Sequence, residues 1–222
     1  MLLYRTVTMS YSYNRFAGQS VERLAALSDG IFAVAMTLLV LDLHVPEEAN
    51  ITDSSALLRA LVHLAPQFLV YLMSFITLGI FWVGQQTQMN HLTRSDRDLT
   101  WIHLAFLFFV TLLPFSTRLL VEYITFPSAL LAYWGNILIF GVLLYASWGR
   151  ATRAKLIKDD LPLEAQAAIC HRIIIGQSLY AFGALLCVIS TYLSIGFIIL
   201  VQLNYAIAPL SLLGREKTSP HA

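Results

Sequence analysis

The sequence predicts an all-α membrane protein with six transmembrane helices per subunit. Three observations carry this. Apolar stretches of about 20 residues recur along the chain, each long enough to cross a bilayer. Of the 222 residues, 58% are hydrophobic and 12% charged, where a soluble domain carries about 25% charged residues. The basic residues also segregate into alternate loops, as the positive-inside rule requires.

The elements follow in order. Residues 1–22 are polar and aromatic, with no apolar run ahead of Arg23, so they read as an N-terminal segment and not as a cleavable signal peptide. The expected spans are 24–43, 64–84, 99–121, 129–148, 171–193 and 195–213, which places the transmembrane domain at 23–213 and a tail at 214–222. Ser194 and Gly196 mark a tight turn between the last two spans. The first joint, HVPEEANITDSS, holds Pro46 and acidic turn formers. The second, QQTQMNHLTRSDRD, is hydrophilic, and the fourth, GRATRAKLIKDDLPLEAQ, is the most charged. With both termini cytoplasmic, Arg5, Arg15, Arg23, Arg94, Arg97, Arg150, Arg153, Lys155, Lys158, Arg172, Arg215 and Lys217 lie inside, and only Arg59 and Arg118 lie outside. The outer joints are acidic, with Asp42, Glu47, Glu48, Asp53 and Glu122. This fits a multi-pass protein of the plasma membrane. Trp82, Trp101, Trp134 and Trp148 fall mostly near span ends, where interfacial belts form.

Several function classes drop out. A net charge of +1 gives no field for nucleic acid. Cys170 and Cys187 form no CxxC and have no histidine at ligand spacing, so they read as membrane-buried thiols. His63, His91, His103 and His171 share no face, which leaves no expected metal site or cofactor. His103 stands apart, because it lies within the third span at a depth compatible with Asp29. No hydrolase, P-loop or metalloprotease motif occurs, so no enzyme is expected. Gly176 and Gly183, beside Ala184, offer a close helix contact in the fifth span.

The first span, RLAALSDGIFAVAMTLLVLDL, is the most informative segment. It carries Ser28 and Asp29 near its start, and a carboxylate inside a span is costly enough to mark a functional or structural site. At 100° per residue, Val34, Leu38 and Leu41 fall within about 60° of one another, and Leu27 and Gly30 continue that face. Thr37 flanks the stripe, while Asp29 points roughly 140° away from Val34. The stripe either packs against another helix or lipid, or copies of it meet at a symmetry axis and form an apolar constriction that limits wetting. Asp29 either lines an ion or proton path or locks helices together, and its position off the stripe favours the lock. One chain offers one such stripe, so a pore requires several chains.

RLAALSDGIFAVAMTLL resembles the RxxxFSD signature of the lysosomal and prokaryotic potassium channels of the transmembrane-protein-175 family, with Arg23, Ser28, Asp29 and Thr37 matching in identity and spacing. Trp82 at the end of the second span and WIHLAFLFFVTLLPFSTRLL, with Pro114, Phe115 and Thr117 in an LPFxT pattern, are similar to the same family. The sequence departs from it at Leu27 for phenylalanine, at Gln85 and Gln86 for histidine, and at His103 for asparagine.

The resemblance implies a homotetramer around a central pore lined by the first helix, without a TVGYG carbonyl filter. By position it implies a constriction or gate at Val34, Leu38 and Leu41, with Thr37 associated with selectivity. It implies a structural polar network of Arg23, Ser28, Asp29 and His103. Valine at position 34 replaces a common isoleucine and shifts the narrowest ring toward Leu38. The implied function is a potassium-preferring cation channel that also passes sodium and other monovalent cations. Its partners are copies of itself, membrane lipids and the permeant ions, with no nucleic acid. The alternative is a secondary transporter or proton-coupled carrier using Asp29 and His103 as a relay. Against it, no span is broken by Gly or Pro and no inverted repeat shows.

Overall fold

The computed structural model describes residues 20–44, 46 and 51–213. The expected N-terminal segment up to residue 19 and the tail 214–222 lie outside the described residues, with Arg5, Arg15, Arg215 and Lys217, as do Glu47 and Glu48. The described chain is all-α. Helix α1 spans Val21–Leu38 and continues as a 3-10 turn, Leu39–Asp42. A short α2, Ser54–His63, precedes α3, Ala65–Asn90. Then come α4, Arg97–Glu122, and α5, Pro127–Arg153. Helix α6 runs Leu163–Leu185 with a 3-10 turn Leu186–Val188, and α7 covers Thr191–Leu213.

Local chemistry sets these boundaries. Ser20 caps α1, its Oγ accepting from Arg23 N at 3.2 Å. Asp53 caps α2, its Oδ1 accepting from Ala56 N at 2.7 Å and Ser55 Oγ at 2.8 Å. The Ala56 N–H holds the Asp53 carboxyl below its ordinary pKa. Asp96 caps α4 through Leu99 N at 2.8 Å. Pro66 and Pro127 sit in the first turns of α3 and α5, where a missing N–H costs nothing.

Among the described residues, five helical stretches are long and apolar enough to cross a membrane: 21–41, 65–90, 97–122, 127–153 and 163–188. In α7 the described apolar stretch is shorter, Thr191–Ala206. This is a multi-pass membrane fold. Helices α4 and α5 form the most extensive pair; α1 packs on α3 and α4, and α7 packs on α3 and α6.

Four expectations need correction. The second joint begins later than its polarity suggested: Gln85, Gln86 and Gln88 belong to α3, because each finds a partner on a neighbouring helix. The last turn lies at 186–190, not at Ser194 and Gly196. Ser194 is helical, and its Oγ donates back to Gly183 O at 2.5 Å across the α6–α7 contact. Gly183 makes the close approach there, since a Cβ on it would meet Ile198 at 2.8 Å, whereas Gly176 faces open space. Trp148 is no interfacial belt residue: it is 1% exposed and donates to Gln166 O at 3.1 Å. Cys187 is buried and Cys170 half-buried, and both are free thiols.

At the end where α1, α4 and α6 begin, two joints are tied together. Thr93 N donates to Leu156 O at 2.9 Å and Lys158 N to His91 O at 3.0 Å, around a small cluster of Leu92, Leu99, Ala151 and Leu156. Arg150 holds Asp96 at 2.6 Å and Asp98 at 3.0 Å. Deeper in, an aromatic layer crosses the bundle: Phe81 and Phe140 ring centroids are 4.9 Å apart, Phe106 and Phe140 5.6 Å, and Phe32 and Phe106 6.0 Å. Beyond it lies a second buried polar cluster. Tyr133 Oη meets Ser74 Oγ at 3.2 Å and Thr77 Oγ1 at 3.1 Å. Thr117 donates to Ser74 at 2.8 Å, and Gln202 to Thr77 at 2.7 Å. These bonds link α3, α4, α5 and α7.

Candidate ion-conduction helix

Helix α1 has two long faces of opposite environment. Leu24, Ser28, Phe32, Ala35 and Leu39 recur at spacings of 4, 4, 3 and 4 and are buried against α3 and α4. Leu27, Val34, Leu38 and Leu41 lie on the other side and are 43%, 57%, 44% and 70% exposed. The exposed side forms the wall of an apolar groove of about 400 Å³, lined by Leu27, Gly30, Ile31, Val34 and Leu38 of α1 and by Thr111 of α4.

The α-helix ends at Leu38, where a continuous helix was expected to 43, and tightens into the 3-10 turn. In a 3-10 helix residues three apart eclipse. Leu41 therefore stands almost in line with Leu38, and the stripe persists across the change of helix type.

Thr37 is exposed on the flank, and its Oγ1 donates to Ala33 O at 3.0 Å and Val34 O at 2.8 Å. The hydroxyl hydrogen is thus committed to the helix itself. Its oxygen lone pairs remain outward, which is the polarity a cation or its water requires.

The buried face is pinned at the level of Ser28 and Asp29. Ser28 is fully buried and donates to Leu24 O at 2.8 Å. Its lone pairs then accept from Gln85 Nε2 at 3.2 Å and from His103 Nε2 at 2.6 Å, which puts the hydrogen of the latter contact on His103 Nε2. Asp29 Oδ1 accepts from Trp82 Nε1 at 2.8 Å and from Gln86 Nε2 at 2.6 Å. Helix α1 is thereby fastened to α3 and α4 by side chains of adjacent residues.

Of the residues expected in this network, Ser28 and His103 come together directly. Asp29 stands beside them with partners of its own, and it is exposed in the single chain. Arg23 is not brought in: it is exposed at the helix start, six residues and about 9 Å of helical rise from Asp29. The lock on Asp29 is consequently not an ion pair with Arg23 but two hydrogen bonds from neutral donors. Trp82, Gln85 and Gln86 are the working partners that periodicity alone did not single out. For the two glutamines the signal was the departure at 85 and 86 from the histidine of the resembled family, whereas Trp82 matches that family.

Comparison with known proteins fits this geometry. Residues 23–114 match the family described as endosomal/lysosomal potassium channel TMEM175. A potassium channel of Chamaesiphon minutus is 32% identical over 189 residues, covering 83% of this chain and 93% of that protein. The endosomal/lysosomal proton channel TMEM175 of Danio rerio is 34% identical over 120 residues, half of this chain and 22% of that longer protein. A crystal structure of a lysosomal potassium-selective channel TMEM175 homolog from Chamaesiphon minutus superposes with a TM-score of 0.73 at 30% identity, covering 85% of this chain and 97% of that one. The chain belongs to the TMEM175 family of ion channels.

Proposed function

We propose that this protein is a potassium-preferring cation channel of the plasma membrane, in which four chains with cytoplasmic termini place α1 around a central pore. The observation that carries this reading is the division of α1 into a pinned face and an unpartnered apolar stripe. One chain cannot enclose a path with one stripe. Four copies turned toward an axis would stack rings of Val34, Leu38 and Leu41, with Thr37 beside them. Such a neck resists wetting and offers a dehydrated ion no replacement ligands, which makes it a gate and a weak filter. The relatives named as potassium channels support the choice of ion, and the relative named as a proton channel makes proton flux the competing measurement.

The carrier reading, with Asp29 and His103 as a relay, has less support. The two side chains are hydrogen-bonded to different partners, Asp29 to Trp82 and Gln86, His103 to Ser28. A relay needs them in one chain of bonds.

The test is flux through reconstituted protein under potassium, sodium and proton gradients, matched for the amount of assembled channel. Leu38→Asn supplies polar groups at the neck, and Leu38→Ala widens it. Either raises potassium leak by about tenfold if the barrier falls by about 1.4 kcal/mol, and both reduce discrimination against sodium. Parental conduction and selectivity in both variants would make the stripe a packing surface and place the pore elsewhere.

A further inference from the structure

A second groove, of about 650 Å³, lies on the other side of α1, between α1, α3 and the α6–α7 pair. It is graded along its length. One end holds Asp29, Trp82, Arg172 and Tyr205, and the shaft is walled by Met36, Phe75, Ile76 and Ile80. Counting along α1 from Asp29 to Met36, and along α3 from Val83 to Phe75, the apolar shaft rises about 10–12 Å above the polar foot. A polar foot under an apolar shaft of that length matches the upper part of an acyl chain beneath a headgroup.

Arg172 sets the chemistry of the foot. It is exposed at the start of the apolar run of α6, which begins at Ile173. Its Nε donates to Tyr205 Oη, and its guanidinium lies 4.4 Å from the Tyr205 ring centroid. That one partner is neutral, and among the described residues no carboxylate pairs with Arg172. The Asp29 carboxylate at the same foot accepts from Trp82 and Gln86 through Oδ1. A cation at a membrane boundary without an anionic partner is the chemistry that recognises a lipid phosphate, and basic pockets between transmembrane helices on the cytoplasmic side bind such headgroups.

We infer that this groove is a phospholipid site: the phosphate seats on Arg172 and Tyr205, and one acyl chain lies along Ile80, Ile76 and Phe75. The leaflet is the cytoplasmic one in the orientation proposed above. The site itself does not depend on that orientation or on the pore reading, so lipid binding and ion flux fail or succeed separately.

The test counts lipids on the assembled, delipidated channel by native mass spectrometry. The probes are dioleoylphosphatidylglycerol and the phosphate-free dioleoylglycerol with the same chains. Phosphatidylglycerol is expected to bind the parent in preference to dioleoylglycerol. Arg172→Gln should weaken it by about fivefold or more, and Arg172→Lys should retain most of the binding. Gly79 lines the shaft, and a Cβ added there meets nothing within 4 Å. Gly79→Leu projects into the shaft and should weaken both lipids, which keeps the test open if Arg172→Gln assembles poorly. Equal binding of both lipids to the parent, or unchanged binding in both Gly79→Leu and Arg172→Gln, would overturn the proposal. So would efficient cross-linking of Gly79→Cys to a second chain, which would make the groove a contact between subunits.

Discussion

The two faces of α1 are built from the same kinds of side chain and differ in what they touch. Leu24, Phe32, Ala35 and Leu39 are sealed against α3 and α4, while Leu27, Val34, Leu38 and Leu41 stand open. A hydropathy scale scores both faces alike, and so does lipid. What separates them is the polar pair at one level: Ser28 reaches His103 and Gln85, and Asp29 reaches Trp82 and Gln86. In a bilayer no hydrophobic drive selects which apolar face of a helix turns inward, so hydrogen bonds and close packing must set the rotation. A rotation of α1 by one residue would carry the stripe about 100° off its direction and leave buried donors without acceptors.

This comparison is broken most sharply at Ser28. Ser28→Ala removes the hydroxyl with little change of volume, strands His103 Nε2 and leaves Gln85 Nε2 only the Met89 sulfur, at about 1–3 kcal/mol for a buried group left unpaired. The expected outcome is a loss of thermal stability and assembled yield, read by a melting scan and size-exclusion profile. Asp29→Ala should lower both less than Ser28→Ala, because its partners are nearer the surface of the chain. A well-assembled Asp29→Ala channel with altered selectivity would move that carboxylate into the ion path.

Tyr133→Phe sharpens the contrast from the other side. It removes the hydroxyl that joins Ser74 and Thr77 in the cluster away from α1, and the Ser74–Thr117 and Thr77–Gln202 bonds remain. A polar contact of this kind in a membrane is worth about 0.6–1.7 kcal/mol, so melting should fall modestly while ion selectivity stays at the parental value. Altered selectivity would show that this cluster also orients α1.

Thr37→Val has the smallest expected effect. It deletes outward lone pairs at nearly constant volume, so yield and melting should match the parent. The ratio of potassium to sodium flux should shift by about twofold to fivefold, the scale of roughly half to one kilocalorie per mole. An unchanged ratio would assign Thr37 to the helix backbone alone.

Much of the fold is legible in the sequence, because span-length apolar runs and the polar joints between them are strong signals. The misplacements have particular causes. No glycine or proline marks the break at Leu186–Ser190, while Ser194 and Gly196 imitate a turn inside α7. The ten-residue α2 starts from an Asp53 cap hidden in an acidic joint, and Gln85 to Gln88 look like loop until their partners are known. At the candidate site the direction of the stripe follows from helical periodicity. The partners of Ser28 and Asp29 do not, because hydrogen bonds between helices depend on which helices touch, and a single sequence does not carry that adjacency.

The aromatic layer has an electrical consequence. Along α3 the order is Gln85, Phe81, Thr77; along α4 it is His103, Phe106, Thr117; on α5 Phe140 follows Tyr133. In α3 and α4 phenylalanine separates one group of hydrogen-bonding side chains from the next, and the rings of the layer meet at 4.9–6.0 Å. A file of water or protons climbing through the middle of a subunit would have to cross that layer without a partner. The body of each chain then behaves as a solid dielectric in parallel with the lipid. In the four-chain reading proposed above, current is then confined to the passage between chains and registers the state of that passage alone.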